Sequence, residues 1–222
     1  MIFNINDIGT IIDGVSGRVW DSKKLSNEIK KRTAYLSNEG ISDKSKLILA
    51  HGGSPEFFAD LFSIWNFGAT VACVNPNITL FEMNNIIELL EPDAVLNNND
   101  NENKFNIPTW DLRKSISNIN TEVTPQTFNL DNSALVLFTS GTTGTPKGVV
   151  HTFRSLSSRI SLNQTIIGSS DLKVTLCPLP THFGHGLIGN CLTALCNGNK
   201  LILYPGNKIE NILRLGECID KH

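Results

Sequence analysis

The stretch Leu137-Phe138-Thr139-Ser140-Gly141-Thr142-Thr143-Gly144-Thr145-Pro146-Lys147-Gly148-Val149 packs three glycines, five hydroxyl side chains and one lysine directly behind an apolar run. That run, Ser133-Ala134-Leu135-Val136-Leu137-Phe138, reads as a buried strand, so the loop leaves a sheet where α/β folds commonly hold ligands. The composition suits phosphate. Glycines let backbone N–H groups approach an anion unobstructed, the hydroxyls add donors, and Lys147 brings a mobile positive charge on a long stem. The Walker A loop of P-loop NTPases is excluded by spacing: counted from Gly141, the residue before the lysine is Pro146, and the one after it is Gly148, which has no hydroxyl for Mg²⁺.

Nearly residue for residue, the ordered Thr-Ser-Gly-Thr-Thr-Gly-x-Pro-Lys-Gly pattern resembles the phosphate-binding loop of the adenylate-forming superfamily: acyl-CoA synthetases, luciferases and the adenylation domains of peptide synthetases. The likeness extends beyond the loop. Leu49-Ala50-His51-Gly52-Gly53-Ser54-Pro55-Glu56-Phe57, Trp65-Asn66-Phe67-Gly68-Ala69-Thr70 and Val74-Asn75-Pro76 are similar to the early strand, helix and strand of that superfamily's large N-terminal domain. These three stretches read as scaffold, a βαβ unit with tight turns at Gly52-Gly53 and Asn75-Pro76.

Outward from the loop, strands and helices alternate. Leu25, Ile29 and Leu36 keep a helical rhythm over Ser22–Asn38, with Ser22 as the expected N-cap and Gly40 just past the end. Lys46–Ala50 is a strand, Ser54-Pro55 opens a helix that Gly68 ends, and Thr70–Val74 is a second strand. Thr79-Leu80-Phe81-Glu82 has capping-box spacing, and its apolar face runs to Pro92. Asp93–Leu96 follows as a strand, and Asn97–Asn103 reads as a solvated loop. Behind the glycine loop come a strand at Gly148–His151, a helix at Thr152–Ile166, a strand at Leu172–Cys177, a helix at about Gly186–Cys196, a strand at Lys200–Tyr204 and a helix from Ile209. This order predicts an α/β fold with a mostly parallel, doubly wound sheet and helices on both faces.

A second candidate segment is Pro178-Leu179-Pro180-Thr181-His182-Phe183-Gly184-His185-Gly186-Leu187, which resembles the Pro-Leu-x-His-x-x-Gly segment of acyl-CoA synthetases. The resemblance puts His182 beside the carboxylate pocket, where an imidazole can donate a hydrogen bond to the acid or pack against the acyl-adenylate. His185 is the weaker candidate of the two histidines. Thr181 stands where many relatives carry an aromatic residue, so the shape of the acyl pocket is left open.

The chemistry implied by the resemblance is ATP-dependent activation of a carboxylic acid. The acid attacks the α-phosphate, pyrophosphate leaves, and the acyl-adenylate passes its acyl group to a thiol, that of coenzyme A or of a carrier-protein pantetheine. The loop's part is to stabilise charge developing on the β and γ phosphates. Carried over by motif, that work falls to Thr139, Ser140, Gly141, Thr142, Thr143, Gly144 and Lys147, while Thr145, Pro146 and Gly148 set the loop's shape. Lys147 and His182 are the expected catalytic residues, ATP with Mg²⁺ the expected cofactors, and no residue of this chain is expected to ligate metal. A different class of function, a non-catalytic nucleotide-binding or scaffold remnant of the same fold, stays open beside the ligase.

Composition constrains the partners. With 222 residues, 40% of them hydrophobic, the chain can bury a substantial core. Nineteen basic residues against twenty-one acidic ones give no broad field for nucleic acid or an anionic membrane. No segment approaches about 18 uninterrupted apolar residues, and Asn6, Asp7, Asp13 and Arg18 interrupt the N-terminal stretch, so a cytoplasmic protein is expected. Five cysteines, scattered through apolar contexts, suit a reducing compartment; Cys191 and Cys196 read as core residues rather than a zinc pair. The superfamily's Tyr-Gly-x-Thr-Glu and Thr-Gly-Asp segments and its C-terminal lid are absent from this sequence. The expectation is therefore residues 1–222 as part of an N-terminal AMP-binding domain, inactive in isolation.

Overall fold

The computed structural model describes residues 7–98, 105–116, 127–139, 146–204, 211 and 213–221. It forms two compact units, one built on residues 28–52 and 56–155, the other on residues before 28, 53–55 and after 155.

The first unit is a six-stranded sheet in the order β6-β5-β3-β4-β7-β8. Its strands are β3 (Lys46–Leu49), β4 (Thr70–Cys73), β5 (Ala94–Leu96), β6 (Thr109–Trp110), β7 (Ser133–Thr139) and β8 (Lys147–Thr152). β6 to β7 run parallel, and β8 is antiparallel to β7 at the edge. The sequence explains the central strands: Lys46-Leu47-Ile48-Leu49 and Thr70-Val71-Ala72-Cys73 are apolar on both faces after their first residue, as strands covered on both sides must be. Register then assembles the core. Ile48 lies opposite Ala72 and Val95, and Ala72 opposite Val136. Met83 and Ile86 of helix α3 (Leu80–Leu90) close over that row. Each large side chain buried this way contributes roughly 1.5–3 kcal/mol.

The helices between these strands are α1 (Ser22–Asn38), α2 (Pro55–Trp65), α3 and the short α4 (Leu112–Ser115). Thr79 forms the expected capping box: its hydroxyl accepts from the Glu82 N–H, and the Glu82 carboxylate accepts from the Thr79 N–H. Gly40 takes φ +80° behind α1, with the Gly40 and Ile41 N–H groups bonding the Ser37 and Leu36 carbonyls. Two expected caps differ. Asp21, not Ser22, caps α1, its carboxylate accepting from the Lys24 N–H at 2.7 Å. The Ser54 hydroxyl finds no hydrogen-bond partner among the described residues; the proline at the first position of α2 already fixes φ there and removes one donor.

The second unit is a four-stranded sheet in the order β2-β1-β10-β9, made of β1 (Thr10–Asp13), β2 (Val19–Trp20), β9 (Val174–Cys177) and β10 (Lys200–Leu203). β10 lies between β1 and β9, parallel to both, and β2 returns antiparallel to β1. Helix α5 (Phe153–Ile167), a π-helix (His185–Leu192), α6 (Thr193–Leu195) and α7 (Leu215–Lys221) complete the described elements. Ile12, Ile202, Tyr204 and Cys218 form a small core with Leu176 and Leu215 against it.

The α/β reading with mostly parallel strands and helices holds, but the strands divide between two sheets rather than forming one. Strand composition is blind to this, because Leu201 and Ile202 read the same whichever sheet they enter. β1, β2, β6 and α4 are too short to leave a periodic signature. The helix expected at Gly186–Cys196 is a π-helix over most of its length, and the helix expected from Ile209 is described as Leu215–Lys221, with residues 205–210 and 212 outside the described set. Of the Asn97–Asn103 loop, residues 99–103 also lie outside it.

Candidate active site

β7 is buried along most of its length and turns exposed only at Thr139. β3, β4, β5 and β7 are parallel, so Thr139 stands on the carboxyl edge of the sheet, the edge at which such folds bind ligands. Opposite Thr139 in the antiparallel register is Lys147, the first residue of β8, and the Thr139 hydroxyl is 3.4 Å from the Lys147 carbonyl oxygen. The hairpin thereby sets both ends of the glycine-rich segment side by side. Ser140, Gly141, Thr142, Thr143, Gly144 and Thr145 lie outside the described residues.

Lys147 is exposed, as a lysine that reaches for an anion needs to be. The glycine after it is a packing requirement. A Cβ on Gly148 would meet Val136 Cγ1 at 3.1 Å and Phe138 Cε1 at 3.3 Å, so β8 lies closely on β7 because this position has no side chain. That supports the reading of Gly148 as shaping the loop's frame.

His182 belongs to the second unit, on the turn between β9 and the π-helix. Three features hold that turn. The buried Thr181 hydroxyl accepts from the Gly53 N–H at 3.2 Å, the Phe183 N–H bonds the Pro180 carbonyl, and Gly186 packs so closely that a Cβ would lie 2.5 Å from the Pro180 oxygen. The His182 ring is half-buried and tilted against Phe183 at a centroid distance of 4.4 Å. Burial holds its imidazole below the ordinary histidine range, which favours the neutral form that can accept or donate one hydrogen bond. His185 is exposed, and its carbonyl accepts from the Asn190 side-chain amide. Thr139 and Lys147 are brought together in the first unit; His182 is placed in the second.

The π-helix follows directly. Such i→i+5 turns are uncommon and cluster at functional sites, and nothing in the apolar stretch Gly186-Leu187-Ile188-Gly189-Asn190-Cys191-Leu192 distinguishes it from an α-helix by sequence. The buried Thr193 hydroxyl bonds the Ile188 carbonyl at 2.8 Å, a contact five residues back along the chain.

The first unit also holds a buried polar chain. In the first unit, His51 follows β3 and Asn98 follows β5, at the point where the chain goes from β3 to β4 on one side and then crosses to β5 on the other. The Asn98 side-chain amide is 3.0 Å from His51 Nδ1, His51 Nε2 is 2.8 Å from Asp60 Oδ2, and Arg32 Nε is 2.6 Å from Asp60 Oδ1. The Arg32 guanidinium also bonds the Glu28 carboxylate. Arg32 is fully buried. One signal was available: an acid in the otherwise apolar Phe57-Phe58-Ala59-Asp60-Leu61-Phe62 requires a buried partner. Among the described residues no group of three or more His, Cys, Asp or Glu is arranged to hold a metal, and no helix is long and apolar enough to cross a membrane.

Residues 11–222 match the model of a family described as AMP-binding enzyme. Over 216 residues the chain is 25% identical to the hybrid PKS-NRPS synthetase gkaA of Penicillium citrinum, covering 95% of this chain and 5% of that synthetase. Over 85 residues it is 35% identical to a malonate–CoA ligase of Arabidopsis thaliana, covering 38% of this chain and 14% of the ligase. In fold it matches o-succinylbenzoate coenzyme A synthetase from Bacillus subtilis, solved in complex with AMP, at a TM-score of 0.84 and 18% identity, covering 98% of this chain and 56% of that one. A fatty acyl-adenylate ligase from L. pneumophila, solved with acyl adenylate and pyrophosphate, matches at a TM-score of 0.84 and 22% identity over 97% of this chain and 40% of the ligase. The chain thus spans about half the length of the solved synthetase and a small fraction of the curated synthetases.

Proposed function

The chain belongs to the family of AMP-binding enzymes, and from that premise we propose that it supplies the phosphate-holding part of an enzyme that activates a carboxylic acid with ATP. In this reading a carboxylate oxygen attacks the α-phosphorus of ATP, the bond to the bridging oxygen breaks, and pyrophosphate leaves with the electron pair. The acyl-adenylate then gives its acyl group to a pantetheine thiol and releases AMP.

The observation that carries the proposal is the β7–β8 hairpin, which sets Thr139 opposite Lys147 at the mouth of a segment rich in glycine and hydroxyls. Donors gathered there would stabilise charge on the leaving phosphates, with Lys147 as the mobile cation. Ser140, Gly141, Thr142, Thr143 and Gly144 are assigned to the same work from their motif positions. Mg²⁺ would come in with ATP and neutralise phosphate charge. His182 is assigned to the carboxylate side: a half-buried, neutral imidazole on a braced turn can meet an acid without carrying a competing charge.

Coenzyme A is proposed as the acceptor, supported by the likeness to malonate–CoA ligase; the likeness to peptide synthetases supports a carrier-protein pantetheine instead. Acid-dependent exchange of labelled pyrophosphate into ATP tests the first half-reaction, and offering coenzyme A and a pantetheinylated carrier in parallel tests the second. The assays should be run on residues 1–222 and on a longer protein continuing past His222. We expect turnover only from the longer one, because a phosphate loop does not by itself fix adenine and ribose in an attack geometry. Failure of exchange in both, with every acid tried, overturns the proposal and favours a nucleotide-binding scaffold.

A further inference from the structure

The second unit holds a cavity of about 160 Å³ off the carboxyl ends of β1 and β10. The two strands are parallel, and the residues that follow them, Gly14 and Tyr204, both line it, with the Gly14 N–H bonding the Leu203 carbonyl at 2.8 Å. This is the edge at which such sheets hold ligands. One face of α7 and the residue before it form the opposite wall: Arg214, Glu217, Cys218 and Lys221 stand at i, i+3, i+4 and i+7, and all four line the cavity. A Cβ on Gly14 would lie 2.8 Å from Tyr204 Cδ2 and 3.2 Å from Cys218 Sγ, so the turn after β1 lies directly on both because this position has no side chain. The turn itself is fixed. The Asp13 carboxylate accepts from the Val15 and Ser16 N–H groups, each at 3.1 Å, and the Ser16 hydroxyl oxygen accepts from the Arg18 N–H at 3.3 Å. A Cβ on Gly17 would find Lys221 Nζ as its nearest neighbour, at 3.8 Å, which brings the ammonium against that turn.

The walls offer both donors and acceptors. Lys221 has no acidic partner among the described residues, and the Ser16 hydroxyl, which accepts from Arg18, finds no acceptor for its proton among them. The Tyr204 hydroxyl donates to the Asn211 carbonyl at 2.6 Å, so its oxygen can only accept from anything else. Glu217 takes Arg214 Nε on Oε2 at 3.1 Å and keeps Oε1 as an acceptor. Two cations face one carboxylate, which favours an anion, but the acceptors disfavour an anion that has no proton to give.

We propose that this cavity is a binding site for orthophosphate, which at neutral pH is an anion that still carries O–H. Its bare oxygens accept from Lys221 and Ser16, and its P–O–H donates to Tyr204 or Glu217. The size agrees: a cavity of about 150 Å³ takes one benzene, and orthophosphate is smaller than that. Sulfate has the same shape and no proton to donate at neutral pH, so the site discriminates against it. None of these residues belongs to the glycine-rich segment or to the His182 turn, and the inference stands apart from the adenylation reading.

Nitrogen-labelled protein of residues 1–222 is titrated with phosphate, and separately with sulfate, at neutral pH and constant ionic strength, and the backbone amide signals are followed. Phosphate should shift the amides of Val15–Arg18 and Cys218–Lys221 saturably, and sulfate should bind there about tenfold more weakly or not at all. Lys221→Ala should raise the phosphate dissociation constant about tenfold or more, through loss of a charge-assisted hydrogen bond. Lys173→Ala, an exposed lysine before β9, should leave the constant unchanged. Lys147→Ala should also leave these shifts in place, which separates them from any phosphate held by the glycine-rich segment. Shifts at residues 14–18 that do not saturate, or sulfate binding there as tightly as phosphate, would overturn the proposal in the unsubstituted protein. An unchanged constant in Lys221→Ala would overturn it as well.

Discussion

Asp60 holds two bases at once: one carboxylate oxygen is 2.6 Å from Arg32 Nε and the other 2.8 Å from His51 Nε2, with Arg32 fully buried. Such a pair is weak evidence of net stabilisation, since desolvating both charges costs several kcal/mol, but removing Asp60 takes one of two carboxylates from the buried Arg32 and the acceptor from His51 Nε2. We expect Asp60→Ala to lower the unfolding free energy by about 1–3 kcal/mol, read as a fall in the urea midpoint. Adding Arg32→Met should recover much of that loss. A double variant as unstable as the single one would show that the carboxylate's value lies with His51 instead.

Lys147→Ala, made in a protein that exchanges pyrophosphate, should slow adenylate formation on the order of 10–10³-fold, because the remaining donors and the metal still carry part of the charge. Exchange at saturating acid and ATP reads it. An unchanged rate would take Lys147 out of the site.

For His182→Ala the expected signature is a raised KM for the acid with little change in that for ATP. The imidazole also predicts a pH effect on stability. Its folded-state affinity for protons lies below the ordinary value of 6.5, so just under that pH the unfolded chain binds more protons than the native one. Stability then rises with pH through the window and is lost as pH falls from about 6.5 toward the folded value. A His182→Gln variant should lose part of this slope, measured as the urea midpoint between pH 5 and pH 7, values about the ordinary histidine range.

The two π-helix glycines should respond oppositely to alanine. Gly186→Ala forces a Cβ to 2.5 Å from the Pro180 oxygen, a backbone atom that cannot swing aside, and should cost about 1–3 kcal/mol. Gly189→Ala meets only His185 Nδ1 at 3.8 Å, an ordinary contact, and should gain up to about 1 kcal/mol from reduced unfolded-state entropy. Thermal unfolding of both variants compares them directly. Equal losses at the two positions would mean that the π-helix itself, not the Pro180 contact, rejects a side chain.

What the amino-acid sequence determined by itself lies in short-range chemistry, although the caps of α1 and α2 differ from it. The capping box at Thr79 and Glu82 requires four residues and a helix, and Gly40 at φ +80° requires only the absence of a Cβ, so both are legible in place. The apolar strands at Lys46–Leu49 and Thr70–Cys73 likewise carry their meaning in composition and order. At Gly148 the constraint on a side chain, Phe138 and Val136 across the hairpin, lies outside its own neighbourhood.

Tertiary structure alone decided which sheet each strand joined, because strand propensity does not encode a partner: β1 and β10 pair across nearly the whole chain in sequence. It decided the burial of Arg32, whose counter-charge on Asp60 lies 28 residues away. It also decided the π-helix, in which the widened turn and its close approach to Pro180 belong to the packing around Gly186 rather than to any helix propensity of the segment. Local preferences are worth tenths of a kcal/mol to about 1 kcal/mol per residue, whereas an unpaired buried charge or a 2.5 Å overlap costs several times that. Where the two scales compete, the long-range term prevails.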